Sequence, residues 1–325
     1  MKTYAAYYDN PIRDESSSGG IFSLLASGFD VVYGVAMEED EYGSSTIRTE
    51  GDISSLRGSK YFQANVGDAF IMAKQDVLAG KSVLFSGTGC QINGLSAFLG
   101  QDYDNLLLVD IICHGVPSPK LWREYAKYRE KEHGKLTSVN FRCKEKQENG
   151  QKQYYSIKDN DPFMRMFLRD YCLRPSCYEC RAKTNREADI TIGDFWGIET
   201  AAPEMSDEKG TSLIITRSDK GQKYFDEISG RIKSKEVSYK VAVAHNPSEF
   251  KSSERPLQRN VFFADLDSLS FDEMIKKYAS DIAISALRKL IIKAKIIAKR
   301  ILFPQQKKDD KPGNDYGILM KFETK

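Results

Sequence analysis

No stretch of the chain approaches the run of about 18 apolar residues that a membrane-spanning helix needs. Met1 to Tyr8 likewise carries no apolar core behind a basic start, so no secretory leader is expected. Histidine is scarce, at three, and no cysteine precedes Cys90. No Gly-x-Gly-x-x-Gly follows a strand pattern, which argues against an ordinary Rossmann dinucleotide site. No internal repeat is visible. These absences point to a cytoplasmic setting, where closely spaced cysteines read as metal-binding or catalytic rather than as disulfides.

What is present is ordinary in bulk and uneven in detail. A chain of 325 residues with 41% hydrophobic and 29% charged residues can bury a large core as one big domain or two lobes. The net charge of +2 conceals an asymmetry: Ile282 to Lys325 holds eleven Lys/Arg against four Asp/Glu, so the remainder is acidic. That body is not built for nucleic acid.

Three of the six cysteines fall within nine residues, Cys172, Cys177 and Cys180. A Cys-x-x-Cys pair turns two thiolates toward one point, as a soft metal centre requires. Arg174, Arg181, Lys183 and Arg186 are expected to lower the thiol pKa values and offset the charge of a four-thiolate cluster. The competing reading is a set of ordinary reduced thiols acting as small hydrophobes.

Two further segments share one design. Ser82 to Phe85 is a short apolar strand that breaks at Ser86-Gly87-Thr88-Gly89 and enters the helix Ile92 to Leu99 through Cys90-Gln91. Leu106 to Ile112 is a nearly continuous apolar run, as expected of a strand covered on both faces, and it ends at Cys113-His114-Gly115 before the helix Lys120 to His133. Parallel sheets gather such turns at their carboxyl edge. Cys90 and Cys113 are therefore expected to be neighbours and, with Cys177 and Cys180, to complete a four-thiolate set.

The other segments are less specific. Lys2 to Tyr8, Asp30 to Met37, Ser45 to Glu50, Thr137 to Arg142, Gln153 to Lys158 and Ala188 to Gly193 have strand composition. Val66 to Ala79 and Pro162 to Tyr171 have helical spacing. Ser212 to Thr216, Lys220 to Ser229 and Ser234 to Tyr239 read as a further β-α-β unit. Ser16 to Gly20 enters a helix at Ile21 to Phe29, either a phosphate-binding start or a capped flexible loop. Leu56-Arg57-Gly58-Ser59-Lys60-Tyr61 holds either phosphate or a flavin edge, or is a solvated loop. Asp194 either touches a ring ligand or caps a turn. His114 either tunes a cluster through a hydrogen bond or is a satisfied turn residue. After Asp281, apolar residues at helical spacing and a basic face describe an amphipathic helix over 282–303, docked on the body or lying on an anionic membrane; Gln305 to Asp315 looks disordered.

Ser18-Gly19-Gly20, Gly58-Ser59-Lys60-Tyr61, Gly87-Thr88-Gly89-Cys90-Gln91, Cys113-His114-Gly115-Val116-Pro117-Ser118, Cys177-x-x-Cys180 and Ala188-Asp189-Ile190-x-x-Gly193-Asp194 occur in that order. In this combination the chain resembles the beta-subunit family of coenzyme F-420 hydrogenases and dehydrogenases, in the bacterial branch associated with polysaccharide biosynthesis, from about Tyr4 to about Phe263. The resemblance implies an iron–sulfur flavoprotein that holds FAD and a [4Fe–4S] cluster. It implies electron exchange with a deazaflavin or another carrier. By that similarity Cys90, Cys113, Cys177 and Cys180 are the cluster ligands and Cys172 is a reserve. Ser18, Gly19, Gly20, Ser59 and Lys60 line the flavin, with Arg57 or Lys60 balancing its charge. Cys143 matches no ligand position. Many relatives carry an N-terminal ferredoxin-like segment with extra cysteines; without one here, another protein must supply the electron wire.

The expected architecture is α/β, a mixed sheet with parallel βα units in two lobes plus a C-terminal basic amphipathic helix. Residues 1–100 would form a flavin-binding lobe, 101–265 a lobe completing the iron–sulfur site, and 266–325 a helical tail with a disordered end. The expected function is electron transfer with a redox partner protein or small carrier, in the cytoplasm or at the inner membrane face through 282–303. The alternative is a non-redox protein of surface-glycan assembly, with zinc held by four cysteines as a structural staple. A transferase with Cys90 as nucleophile would need His114, His133 or His245 as its base.

Overall fold

A computed structural model describes residues 1–143, 153–157, 160–207, 209–280 and 317–323. The chain runs β1 (Lys2–Tyr7), α1 (Ile21–Ala26), β2 (Val31–Met37), β3 (Ser44–Thr49), β4 (Ala64–Asn65), α2 (Ala69–Leu78), β5 (Val83–Thr88), α3 (Gly89–Leu99), β6 (Leu106–Ile111) and α4 (Pro119–His133). It continues with β7 (Lys135–Cys143), β8 (Gln153–Ile157), α5 (Pro162–Leu168), β9 (Ile190–Asp194), α6 (Ile198–Ala201), β10 (Ser212–Thr216) and α7 (Asp219–Ser229). β11 (Lys233–Glu236), α8 (Tyr239–Ala242), α9 (Arg259–Ser268), α10 (Phe271–Met274) and β12 (Gly317–Glu323) complete the described elements.

A nine-stranded sheet has the order β11-β1-β10-β9-β6-β5-β2-β3-β4. β2, β5, β6 and β9 run parallel, while β10, β1 and β11 continue the sheet antiparallel on one side and β3 does so on the other. The fold is the expected mixed α/β arrangement. Strands from 2–88 and from 106–236 share this one sheet.

The apolar run of β6 shows why the centre is parallel. Leu106 and Leu108 enter a cluster with Tyr33, Ala73, Phe85 and Ile92, whereas Leu107 and Val109 enter another with Ile21, Leu24, Leu84 and Ile214. Successive side chains point to opposite faces and both faces are covered by helices, so neither position can be polar. The register sets Thr88 opposite Ile111 and Ile111 opposite Ile192. The carboxyl ends of β5, β6 and β9 therefore lie side by side, each with a candidate site residue at or just beyond its end.

A second sheet, β7-β12-β8, is antiparallel throughout. With α4, α5, α9 and α10 it encloses an aromatic core of Trp122, Tyr125, Phe141, Phe163, Phe167 and Phe262. β12 corrects the expectation that the tail from 266 is helical with a disordered end. Ile318, Leu319, Met320 and Phe322 are buried while Lys321 and Glu323 are exposed, so the segment alternates only from Met320 onward; it pairs with β7 and β8 on either side. The expected β-α-β unit after residue 212 has its three elements, but β11 does not join β10; β1 lies between them. The proposed helix over 282–303 and the segment 305–315 lie outside the described residues. Among the described residues no helix is long and apolar enough to cross a membrane.

Candidate functional site: four thiols beside a large cavity

The turn from β5 into α3 sets Cys90. Gln91 reaches back so that its Oε1 accepts from the Thr88 amide at 2.9 Å, which fixes the first turn of the helix. Gly89 packs against the next strand: a Cβ there would lie 2.9 Å from Asp110 Oδ2 and 3.1 Å from the Ala182 side chain. Only glycine lets α3 start this close to β6. Cys90 is exposed, and its sulfur lies 3.2 Å from Thr88 Oγ1.

Cys113 follows β6, and the chain beyond it is drawn to the Cys-x-x-Cys turn by backbone pairing. Arg174 N donates to Val116 O and Ser118 N donates to Cys172 O, both at 2.8 Å, around a bridge between Pro117 and Leu173. This short antiparallel pairing brings the segment after Cys113 against the one before Cys177. Val116 N then donates to Cys177 Sγ at 3.4 Å. Cys180 is held by its own amide, which donates to Ser252 Oγ at 3.0 Å.

The result is one small cavity of about 30 Å³ lined by Cys90, Cys113, Cys177 and Cys180 together with Thr88, His114, Lys183 and Arg186. Cys113 feels the other three thiols, each of which raises its proton affinity. The expectation that basic neighbours lower the thiol pKa values is corrected. Burial pushes Cys113 up to about 12, with Lys183 opposing it, and burial also raises Cys177. In the free chain, loss of hydration outweighs the attraction of the cations.

Cys172 stands apart. It is fully buried in the aromatic core beside Leu173 and Phe262, does not line the cavity, and is pushed up to about 12 by burial. Its backbone carbonyl, not its sulfur, contributes to the site. Cys143 ends β7 and is buried as well.

A second cavity, of about 550 Å³, shares a wall with the first. Thr88, Cys90, Ile111, Cys113, His114, Gly115 and Val116 line both. Ser18, Gly20, Arg57, Ser59, Lys60 and Asp194 line the larger one. Gly19 does not: its amide donates to Ser212 Oγ at 3.0 Å, and a Cβ would fall 2.5 Å from Ala6 O. Its role is to let the Ser-Gly-Gly loop lie flat on β1 and β10. Ser18 Oγ donates to Thr211 O at 3.0 Å and Ser59 is 3.1 Å from Ser17 Oγ. Arg57 pairs with Glu15 at 2.5 Å and touches Ser23 Oγ at 3.3 Å. The Lys60 ammonium donates to Ser55 O at 2.9 Å and Arg57 O at 2.5 Å, and burial pushes it down to about 8.

Asp194 pairs with Arg142, whose guanidinium lies 5.7 Å from the Trp196 ring. His114 Nε2 is 2.8 Å from Asp170 Oδ1, a close polar contact off the line of a hydrogen bond, and its ring meets Phe167 edge-on. Sequence reasoning did not find Arg142, Asn246 or Ser212 as site residues, and it named His245 only as a possible base; all four line the large cavity. They reach it from β7, the loop after α8 and β10, and no local motif marks them.

Beneath the cysteines lies a buried set of charges. Arg186 bridges Asp110 and Glu249, and Arg217 pairs with the other Glu249 oxygen. Thr191 Oγ1 donates to Asp110 and accepts from Arg217 Nε at 2.5 Å.

No curated protein matches the chain. Among solved structures, a chain of the F420-reducing [NiFe] hydrogenase complex from Methanosarcina barkeri, in a xenon derivative, is similar at 14% identity and a TM-score of 0.48, over 85% of this chain and 91% of that one. The family described as the C terminus of the coenzyme F420 hydrogenase/dehydrogenase beta subunit matches residues 80–240, the span from just before β5 to α8 that holds all four cavity cysteines. The chain is similar to that family over those residues, just under half of its length.

Proposed function

We propose that the protein is an iron–sulfur flavoprotein oxidoreductase. In this reading a [4Fe–4S] cluster sits on Cys90, Cys113, Cys177 and Cys180, FAD occupies the large cavity, and electrons pass onward to a partner protein or small carrier. The family match supports an oxidoreductase-type role related to iron–sulfur chemistry. The observation that carries the reading is the shared wall: Cys90 and Cys113 themselves face both the four-thiol space and the large cavity.

The donor sets suit both groups. Four sulfurs around one space are the ligand set of a cubane. Four thiolates are also the donor set of a structural zinc site, which metal analysis separates from a cubane. The large cavity falls in the usual size range for small-molecule sites. It offers apolar walls at Ile111, Ile112 and Phe167, hydroxyls at Ser16, Ser17 and Ser59, and cations at Arg57 and Lys60.

When bound, the flavin supplies two-electron chemistry and the cluster single-electron chemistry. The chain's own residues supply position and field. The cysteines hold the cluster as thiolates once their protons leave. The Val116 amide and the Thr88 hydroxyl reach two of the sulfurs, and such bonds favour the more anionic sulfur. Lys60 and Arg57 offset phosphate charge. Phe167 and the Asp170 carboxylate fix the His114 ring in the shared wall. Anaerobic purification with iron, sulfide, zinc and flavin quantified tests the proposal: a brown protein with cubane iron and sulfide and bound FAD is expected. A colourless protein holding stoichiometric zinc would overturn it.

A further inference from the structure

Four cations flank the cysteines in sequence, and their surroundings differ. Arg174 and Arg181 are exposed, where water and salt screen them. Arg186 is buried on the cavity wall, but it is matched: Arg186 and Arg217 face Asp110 and Glu249, two charges against two. Lys183 is the exception. Its ammonium donates to two backbone carbonyls, Cys113 O and Ser248 O, and has no ion pair among the described residues. It lines the thiol cavity.

We propose that Lys183 is a positioning residue that sets the charge at the four-cysteine cavity, raising the reduction potential of the cluster held there. The inference rests on the cluster reading given above. Each electron added to a cubane on four thiolates makes the assembly more anionic, and net charge close to the sulfurs is one of the factors that set its potential. A cation on the cavity wall, in ion-pair contact with no carboxylate among the described residues and only at longer range from Glu249, favours the reduced form. No bond forms or breaks, and in the cluster reading the electron would be supplied by a flavin held in the adjoining cavity. Lys183 also ties the Cys113 turn to the loop at Ser248, so a purely mechanical role is the competing explanation.

The test uses the full chain, purified anaerobically as wild type, Lys183→Met, Lys183→Gln and Lys183→Arg. Iron and sulfide are quantified, and cluster potentials are read by spin-resonance titration with dithionite. At a fixed potential, the ratio of reduced to oxidised cluster should fall at least threefold in the Met and Gln variants, about 28 mV at about 59 mV per decade. The Arg variant should stay near wild type. Loss of cluster from Met and Gln but not Arg would also support a charge role. Neutral variants with an unchanged potential, or an Arg variant as defective as Met, would overturn it in favour of a mechanical tie. Wild-type protein without iron and sulfide would instead reject the cluster reading itself.

Discussion

Replacing Asp110 by Asn removes one anion from the buried set beneath the cysteines. The side chains of Asp110, Glu249 and Arg186 are 0%, 2% and 6% exposed. Arg186 would be left to share the single Glu249 carboxylate with Arg217. Breaking a buried pair by removing one partner costs about 3–5 kcal/mol, because the remaining charge is neither hydrated nor matched. The amide softens this only in part. Turned to offer its oxygen to Arg186, it must direct its nitrogen at Thr191 Oγ1, which already accepts from Arg217. The lower end, about 3 kcal/mol, is therefore expected. At about 2.1 cal/mol/K per residue of unfolding entropy over 325 residues, that lowers Tm by about 4 °C. The assay is a thermal melt of the metal-free protein. The double variant Asp110→Asn with Arg186→Met removes one charge of each sign and leaves Arg217 with Glu249. It should fall short of the summed single effects by about 1 kcal/mol or more, as coupled neighbours do. A single variant melting within about 1 °C of wild type, or strict additivity, would refute the reasoning on which the charge count rests.

Two further outcomes follow from the same geometry. Lys60 is pushed down to about 8 from its ordinary 10.5, so its neutral form is favoured in the fold and its charge is lost as pH rises through about 8. FAD affinity, measured by fluorescence titration, should therefore weaken as pH passes through 8. Below pH 8 Lys60→Met should bind FAD more weakly yet melt at a higher temperature, and matching pH profiles for the two proteins would contradict this. Cys172→Ala should keep its full iron and sulfide content at a stability cost of about 1 kcal/mol for a small buried side chain, whereas Cys113→Ala should lose the cluster; iron analysis of both separates core from ligand.

Much of the sheet and of the grouping of four cysteines was legible because both are written locally. The unbroken apolar run Leu106 to Ile111 announces a strand covered on both faces, and a parallel strand beside it must end at the same edge. Cys90 and Cys113 thus came together by topology. Cys172 could only be held in reserve because it lies beside the metal-site spacing of Cys177 and Cys180, and the pairing of 172–174 with 116–118, which leaves its sulfur in the core, is not written in the local sequence. The loop around Ser248 to Ser252, which touches Lys183, Arg186 and Cys180, has no periodicity and bonds to residues more than 60 positions away. β12 alternates only from Met320 onward, and it lies some 160 residues from β8, its partner on one side.

The most direct test of the account is whether one polypeptide carries a flavin and a cubane within reach of each other. Spin-resonance spectra of the anaerobic, half-reduced protein should show a flavin radical whose relaxation is accelerated by a neighbouring reduced [4Fe–4S] centre, and Cys113→Ala should retain only an unperturbed radical. A flavin radical that relaxes at the same rate in wild type and variant, or a wild-type protein with no cubane signal, would contradict the central claim.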